Sequence, residues 1–217
     1  MNIEQARFNM IEQQIRPWDV LDPDVLALLA VVRREDFVPA ALRSMAFMDT
    51  ELPLPDGQCM LAPRVEARLL QELRLQRHES VLEIGAGSGF MAALLAHRSR
   101  QVVSLEISEV LTRLAQDNLR GAGVMNAAVR CADGCTGHRG DAPFDAIVLS
   151  GSVAAVPQTL LDQLKIGGRL IAIVGDEPVM RARLYKRADT ASWSHTDLFD
   201  TVAPRLRGFA EAQRFSF

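Results

Sequence analysis

Val81-Leu82-Glu83-Ile84-Gly85-Ala86-Gly87-Ser88-Gly89 decides how this chain folds. A short, mostly apolar run enters a turn with glycine at every second position, and residues 91–98 then carry helical apolar spacing. Such a strand, turn and helix open a parallel α/β sheet whose strands are buried on both faces. Glycine at 85, 87 and 89 lets the backbone take positive φ and approach a ligand closely at the carboxyl edge of the sheet. The dinucleotide spacing G-x-G-x-x-G is not met, because the third glycine comes one position early and Phe90 stands where it is needed. A pyrophosphate cradle is therefore not expected, nor a nicotinamide-dependent oxidoreductase.

Further along the chain, short apolar runs alternate with helix-length segments. Strands are expected at 80–84, 101–106, 127–131, 144–149 and 169–174, with helices at 91–98, 108–120 and 157–164 and stops at Gly121 and Gly167. Two last strands, 179–186 and 193–202, flank a polar turn and predict an antiparallel hairpin at the sheet edge. Toward the N-terminus the pattern is helical. Ile3, Ala6, Met10, Ile11 and Ile15 repeat at helical spacing up to Arg16-Pro17-Trp18, a helix stop with a packed aromatic. Asp22 caps a second helix with Pro23 in its first turn and Val25, Leu26, Leu28, Leu29 and Val32 on its apolar face. The prolines of 52–57 predict an extended loop, and Pro63 opens a helix with Val65, Leu69, Leu70 and Leu73 on its buried stripe. One folding unit is expected over 1–217, with a helical extension and substrate loop at 1–78 and the cofactor-binding sheet at 79–217.

The strand ends carry the candidate ligands. Glu106 closes the second strand where the ribose hydroxyls of a bound nucleoside would lie, and a carboxylate accepts from both; Ile107 follows it. Asp133-Gly134, after the third strand, offers an acceptor for an adenine amino group and a turn. Ser150-Gly151-Ser152, after the fourth, are small residues that leave room above the sheet. No histidine is placed to activate Ser150 or Ser152, so hydrolysis is not favoured.

Composition narrows the class further. The net charge of −3 is interspersed rather than blocked, so nucleic acid is not an expected partner. No run approaches the ~20 apolar residues of a membrane span, and the first residues lack the marks of a secretory signal, which predicts a cytoplasmic protein. Cys59, Cys131 and Cys135 fit reduced thiols, and Cys131, Cys135 and His138 lack the fourth ligand of a structural zinc, so no metal is expected.

The loop Glu83-x-Gly85-x-Gly87-x-Gly89 resembles the E/D-x-G-x-G-x-G loop of class I methyltransferases. Over about residues 5–175 the chain resembles the protein-L-isoaspartate O-methyltransferase family. Arg34-Glu35-Asp36-Phe37-Val38-Pro39, Leu52-Pro53-Leu54 to Gly57-Gln58, Val81 to Phe90, Asp133-Gly134, Ala142-Pro143-Phe144-Asp145, Gln163-Leu164 and Gly167-Gly168 carry the likeness. It implies a Rossmann-like class I methyltransferase fold, a mostly parallel seven-stranded sheet with helices on both faces and an N-terminal helical extension. It also implies S-adenosylmethionine as cofactor, bound by Glu83, Gly85, Ala86, Gly87, Ser88, Gly89, Glu106, Ile107, Asp133, Gly134 and Ser150, and a protein or peptide acceptor bearing an isoaspartyl carboxylate. The acceptor loop is Gln58, Cys59 and Leu61. There the chain departs from the family, since Leu61 stands where a serine hydroxyl helps to hold the acceptor, and Ser150-Gly151-Ser152 replaces Thr-Ala-Ala. Leu61 leaves a second expectation open, a catalytically silent cofactor-binding or scaffold protein of the same fold.

Overall fold

The computed structural model of the protein describes residues 2–211. Helix α1, Ile3–Met10, is capped by Asn2 and runs without a break into a π-wound stretch, Ile11–Ile15, and one 3-10 turn, Arg16–Trp18. The winding thus passes Pro17, because a proline in the first turn of a 3-10 segment lacks only an amide that has no partner there. Trp18 packs edge-on against Phe199 at 6.4 Å, and the Arg64 guanidinium lies 4.3 Å from its ring centroid.

Helix α2, Pro23–Val31, starts on Asp22, whose carboxylate accepts from the amides of Asp24 at 2.9 Å and Val25 at 3.4 Å. All five residues expected on its apolar face are buried. The proline-rich 52–57 stretch is more ordered than an extended loop. Strand β1, Leu52–Pro53, pairs antiparallel with β2, Cys59–Met60, around a 3-10 turn at Pro55–Gly57. Pro53 and Pro55 have no amide to donate, and the Leu54 amide closes the hairpin onto the Gln58 carbonyl at 2.7 Å. Helix α3, Pro63–Leu73, then buries Val65, Leu69, Leu70 and Leu73.

The sheet follows as β3 Ser80–Ile84, α4 Phe90–Arg98, β4 Gln101–Glu106, α5 Glu109–Gly121, β5 Ala127–Cys131, β6 Phe144–Val153, α6 Gln158–Leu161, β7 Leu164–Asp176, β8 Val179–Arg187 and β9 Trp193–Thr201. Its order is β5-β4-β3-β6-β7-β8-β9, with β8 antiparallel to both neighbours and every other pairing parallel. The chain winds outward from β3 to β5 and then returns to the other side of β3 as β6, so a crevice opens above the carboxyl ends of β3, β4 and β6.

Strand parity divides the core. Val81, Val102, Ala146 and Val148 face one hydrophobic cluster together with buried residues of α1, α2, α3, α4 and α5, whereas Leu82, Ile84, Val103, Leu105, Ile147 and Leu149 face the other, where Phe144 joins them across a register shift. That second face has one short helix. The helix expected at 157–164 stops at Leu161 because Leu164 is drawn into register beside Phe144, with the Phe144 amide donating to the Gln163 carbonyl at 2.8 Å. The C-terminal segment completes the cover with Leu206 and Phe209. Among the described residues, no helix is long and apolar enough to cross a membrane.

Candidate functional site

Two adjoining cavities lie in the crevice, an outer one of about 460 Å³ with exposed Ile107 and Arg207 in its lining and an inner one of about 270 Å³ lined by buried and half-buried residues. Cys59, Gly85, Gly87 and Ser150 line both. The outer cavity has an apolar floor of Ile84, Leu105 and Leu111, a rim of Ile107, Ala132 and Gly134, and one carboxylate, Glu106. The inner cavity has two carboxylates, Glu66 and Glu83, beside Ser88, Phe90 and Leu61.

Glu106 ends β4 and is 5% exposed, with each oxygen engaged by a backbone amide: Gly87 donates to Oε2 at 2.9 Å and Ser108 to Oε1 at 3.0 Å. A carboxylate offers about four lone-pair sites, so both oxygens keep acceptor capacity for two vicinal hydroxyls. The same bonds fix the glycine loop. Gly85 sits at φ +92°, and a Cβ there would lie 2.7 Å from the Leu206 side chain, so the bare backbone is what leaves the cleft open.

Glu83 is fully buried between β4 and β6. Ser104 donates to its Oε2 at 2.6 Å and Ser150 to its Oε1 at 2.9 Å. Burial outweighs these bonds and pushes its pKa up to about 7. Burial also holds Glu66 above the usual carboxylate range, against the opposing charge of Arg34, which reaches it from the 3-10 turn Arg34–Asp36. Burial, with Glu51 alongside, pushes the Cys59 thiol up to about 12, so it is a weak donor at neutral pH and not a thiolate.

Glu83, Gly85, Ala86, Gly87, Ser88, Glu106, Ile107, Gly134, Ser150, Gln58, Cys59 and Leu61 all line one cavity or both. Two expected residues do not. Gly89 lies behind the loop, where a Cβ would meet the Ala115 carbonyl oxygen at 3.1 Å, so it serves the packing of α4 on α5. The Asp133 side chain is turned back to accept from the Cys135 amide at 2.9 Å, the local bond that aspartate makes in tight turns. His138 faces Arg130 and Asp141 rather than the thiols.

Among the lining residues that were not anticipated are Glu66, Leu206 and Arg207. Glu66 carried a readable signal, since it falls three and four positions before Leu69 and Leu70 on the apolar stripe of α3, where an acid is out of place. Leu206 and Arg207 carried none, being single residues in an irregular segment. That segment crosses above the glycine loop. The Ser152 amide donates to the Pro204 carbonyl at 2.8 Å, the Leu206 amide to the Ser152 carbonyl at 2.9 Å, and Arg207 pairs with Asp56 of the hairpin turn at 2.8 Å.

The arrangement fits a nucleoside carrying a short cationic chain: an apolar slot, a hydroxyl acceptor at its edge, and a buried carboxylate beyond the loop. It does not fit a diphosphate, because among the described residues Arg207 is the only cation lining either cavity, against three carboxylates, Glu66, Glu83 and Glu106.

Comparison with known proteins agrees with the geometry. The family model described as protein-L-isoaspartate(D-aspartate) O-methyltransferase matches residues 5–202. A protein-L-isoaspartate O-methyltransferase of Herpetosiphon aurantiacus is 43% identical over 173 residues, 80% of this chain and 77% of that one. Protein-L-isoaspartate O-methyltransferase 1 of Syntrophobacter fumaroxidans is 42% identical over 176 residues, 81% and 82% of the two chains. In three dimensions, a Plasmodium falciparum protein described as a protein-L-isoaspartate O-methyltransferase, solved in complex with S-adenosyl-L-homocysteine, superposes with a TM-score of 0.80 over 95% of this chain and 99% of its own; at 19% identity this likeness speaks for the fold. With a family match that runs from the first helix to the end of the last strand, and relatives this similar over four-fifths of its length, the chain belongs to the protein-L-isoaspartate(D-aspartate) O-methyltransferase family.

Proposed function

We propose that this chain transfers the methyl group of S-adenosylmethionine to the side-chain carboxylate of isoaspartyl residues in proteins and peptides. The observation that carries the reading is Glu106, buried at the edge of an apolar slot with acceptor capacity to spare and bonded to the glycine loop itself. When bound, S-adenosylmethionine supplies a methyl group on a sulfonium centre. Glu106 holds the ribose hydroxyls, Ile84, Leu105, Ile107 and Leu111 enclose the base, and Glu83, oriented by Ser104 and Ser150, takes the ammonium of the amino-acid end. Family membership favours catalysis over silent binding.

The acceptor needs no general base, since a carboxylate with a reference pKa of ~4 is already ionised at neutral pH. What the chain must supply is position and dryness: the carboxylate has to be stripped of water and aimed at the methyl group, with fixed donors replacing its hydration. The acceptor enters past Gln58, Cys59 and Leu61, at the junction of the two cavities. The Leu61 side chain gives it no hydrogen bond, and the side-chain donors on that loop are the Gln58 carboxamide and the protonated Cys59 thiol, which lies beside Glu51.

Incubation with an isoaspartyl peptide and methyl-labelled cofactor tests the assignment. A base-labile methyl ester should appear on that peptide and not on its aspartyl counterpart. No ester above background rejects the acceptor, while calorimetry with S-adenosylhomocysteine decides on the cofactor separately.

A further inference from the structure

Arg34 opens the stretch Arg34-Glu35-Asp36-Phe37-Val38-Pro39 and is 1% exposed, although the roles assigned above give it no task. Its guanidinium reaches three elements at once. Nη1 pairs with the Glu66 carboxylate of α3, in the wall of the inner cavity, and Nη2 donates to the Leu61 carbonyl at 2.8 Å. Its flat face lies over Phe90, with Cζ 5.0 Å from the ring centroid, and Phe90 is the first residue of α4 after the glycine loop. Phe37 packs edge-on against the same ring at 5.5 Å.

Burying a guanidinium is costly, and an apolar filling of the same volume is often as stable, so stability alone does not explain a cation here. The geometry does. A planar fork can bond a carboxylate and a carbonyl in one plane while its face stacks on an aromatic ring, and no other side chain does all three. We propose that Arg34 is a positioning residue for methyl transfer, fixing the acceptor loop at Leu61 against the glycine loop at Phe90 through one buried guanidinium. The inference rests on the reading above that the acceptor enters past residues 58–61.

Arg34→Lys separates positioning from folding, because an ammonium keeps the charge beside Glu66 but cannot also hold the Leu61 carbonyl and stack on Phe90. Three quantities are measured on the full chain: initial rates with an isoaspartyl peptide, the affinity for S-adenosylhomocysteine, and the rate at which iodoacetamide alkylates Cys59 relative to the exposed Cys131. The variant should lose about tenfold or more in kcat, keep cofactor affinity within about threefold, and alkylate at Cys59 at least about threefold faster, because the loop is no longer held. A folded variant with wild-type kcat and wild-type Cys59 reactivity overturns the proposal. So does a loss of kcat matched by an equal loss of cofactor affinity with Cys59 unchanged. If Arg34→Lys does not fold, the pair Arg34→Met with Glu66→Gln is compared with Glu66→Gln alone, which takes the same charge away from Cys59, and the pair should still show the lower kcat and the faster Cys59 alkylation. Should the wild-type chain give no isoaspartyl ester, the acceptor assignment fails, while Cys59 alkylation still decides whether Arg34 holds the loop.

Discussion

Glu106 holds the glycine loop with the same two oxygens that the proposed function gives to the cofactor, so its replacement has two expected consequences. Glu106→Ala removes the hydroxyl acceptor and frees the Gly87 and Ser108 amides. S-adenosylhomocysteine should bind about 10- to 100-fold more weakly by calorimetry, the range for losing charged hydrogen bonds; Glu106→Gln, which keeps one oxygen, should lose less. Glu83 makes a prediction in pH. Its folded pKa of about 7 is raised above the ordinary carboxylate value, so the folded chain holds a proton that the unfolded chain releases. Its contribution to stability is therefore full below the unfolded value and is lost as pH rises toward 7. Ligand-free Glu83→Gln should show a flatter fall in Tm over that interval. Affinity for a cationic amino-acid end runs the other way, strengthening as pH rises through 7, and buffers of different ionisation heat should reveal a released proton. Leu61→Ser, which places a hydroxyl on the acceptor loop, should raise kcat/KM for an isoaspartyl peptide about tenfold, the effect of one donor to a charged group. Glu106 lines the cleft and Asp133 does not, for a physical reason. Both acids end a strand, but Asp133 precedes a glycine turn and finds a backbone amide two residues on, a local competition that spacing alone does not resolve.

At the scale of elements, the glycine loop divides into two tasks that substitution can separate. Gly85→Ala puts a methyl group at φ +92° toward Leu206 in the cleft, so cofactor binding should fall sharply while the fold persists. Gly89→Ala puts one at φ +85° against the Ala115 backbone, where nothing can yield. It should lower stability by about 1–3 kcal/mol in denaturant melts, as expected for a strained left-handed residue. The strands β3 and β4 were legible to the residue because buried parallel strands are continuous apolar runs between clear turns, while β5, an edge strand with only Val129 buried, was bounded by the turns on either side of it. Helix α6 was not. Its apolar spacing continues past Leu161, and only the partner strand decides that Leu164 belongs to the sheet. The hairpin of β1 and β2 was hidden by its prolines, which argue against a strand until the one usable amide, on Leu54, is seen to close it.

At the scale of the molecule, one buried cluster joins Met10, Leu29 and Leu69 of the helical extension to Val81 and Ile171 of the sheet, which is why the acceptor loop at 58–61 is held against the glycine loop. The cover over the cleft is held more lightly. Phe209 anchors it in the second core, and Arg207 meets Asp56 by an ion pair with both partners substantially exposed, a contact that contributes little by itself. Phe209→Ala should therefore lower Tm by several degrees, since about 1 kcal/mol shifts a chain of this size by about 2–4 °C, and should speed release of S-adenosylhomocysteine in stopped flow. The order of residues in this assembly has a consequence during synthesis. The floor of the cleft is complete once the ribosome has passed Ser150, whereas its roof arrives with Leu206 and Arg207, after the whole of β7, β8 and β9. Every residue of the floor thus precedes β7 in the chain, and the two that roof it come only after β9.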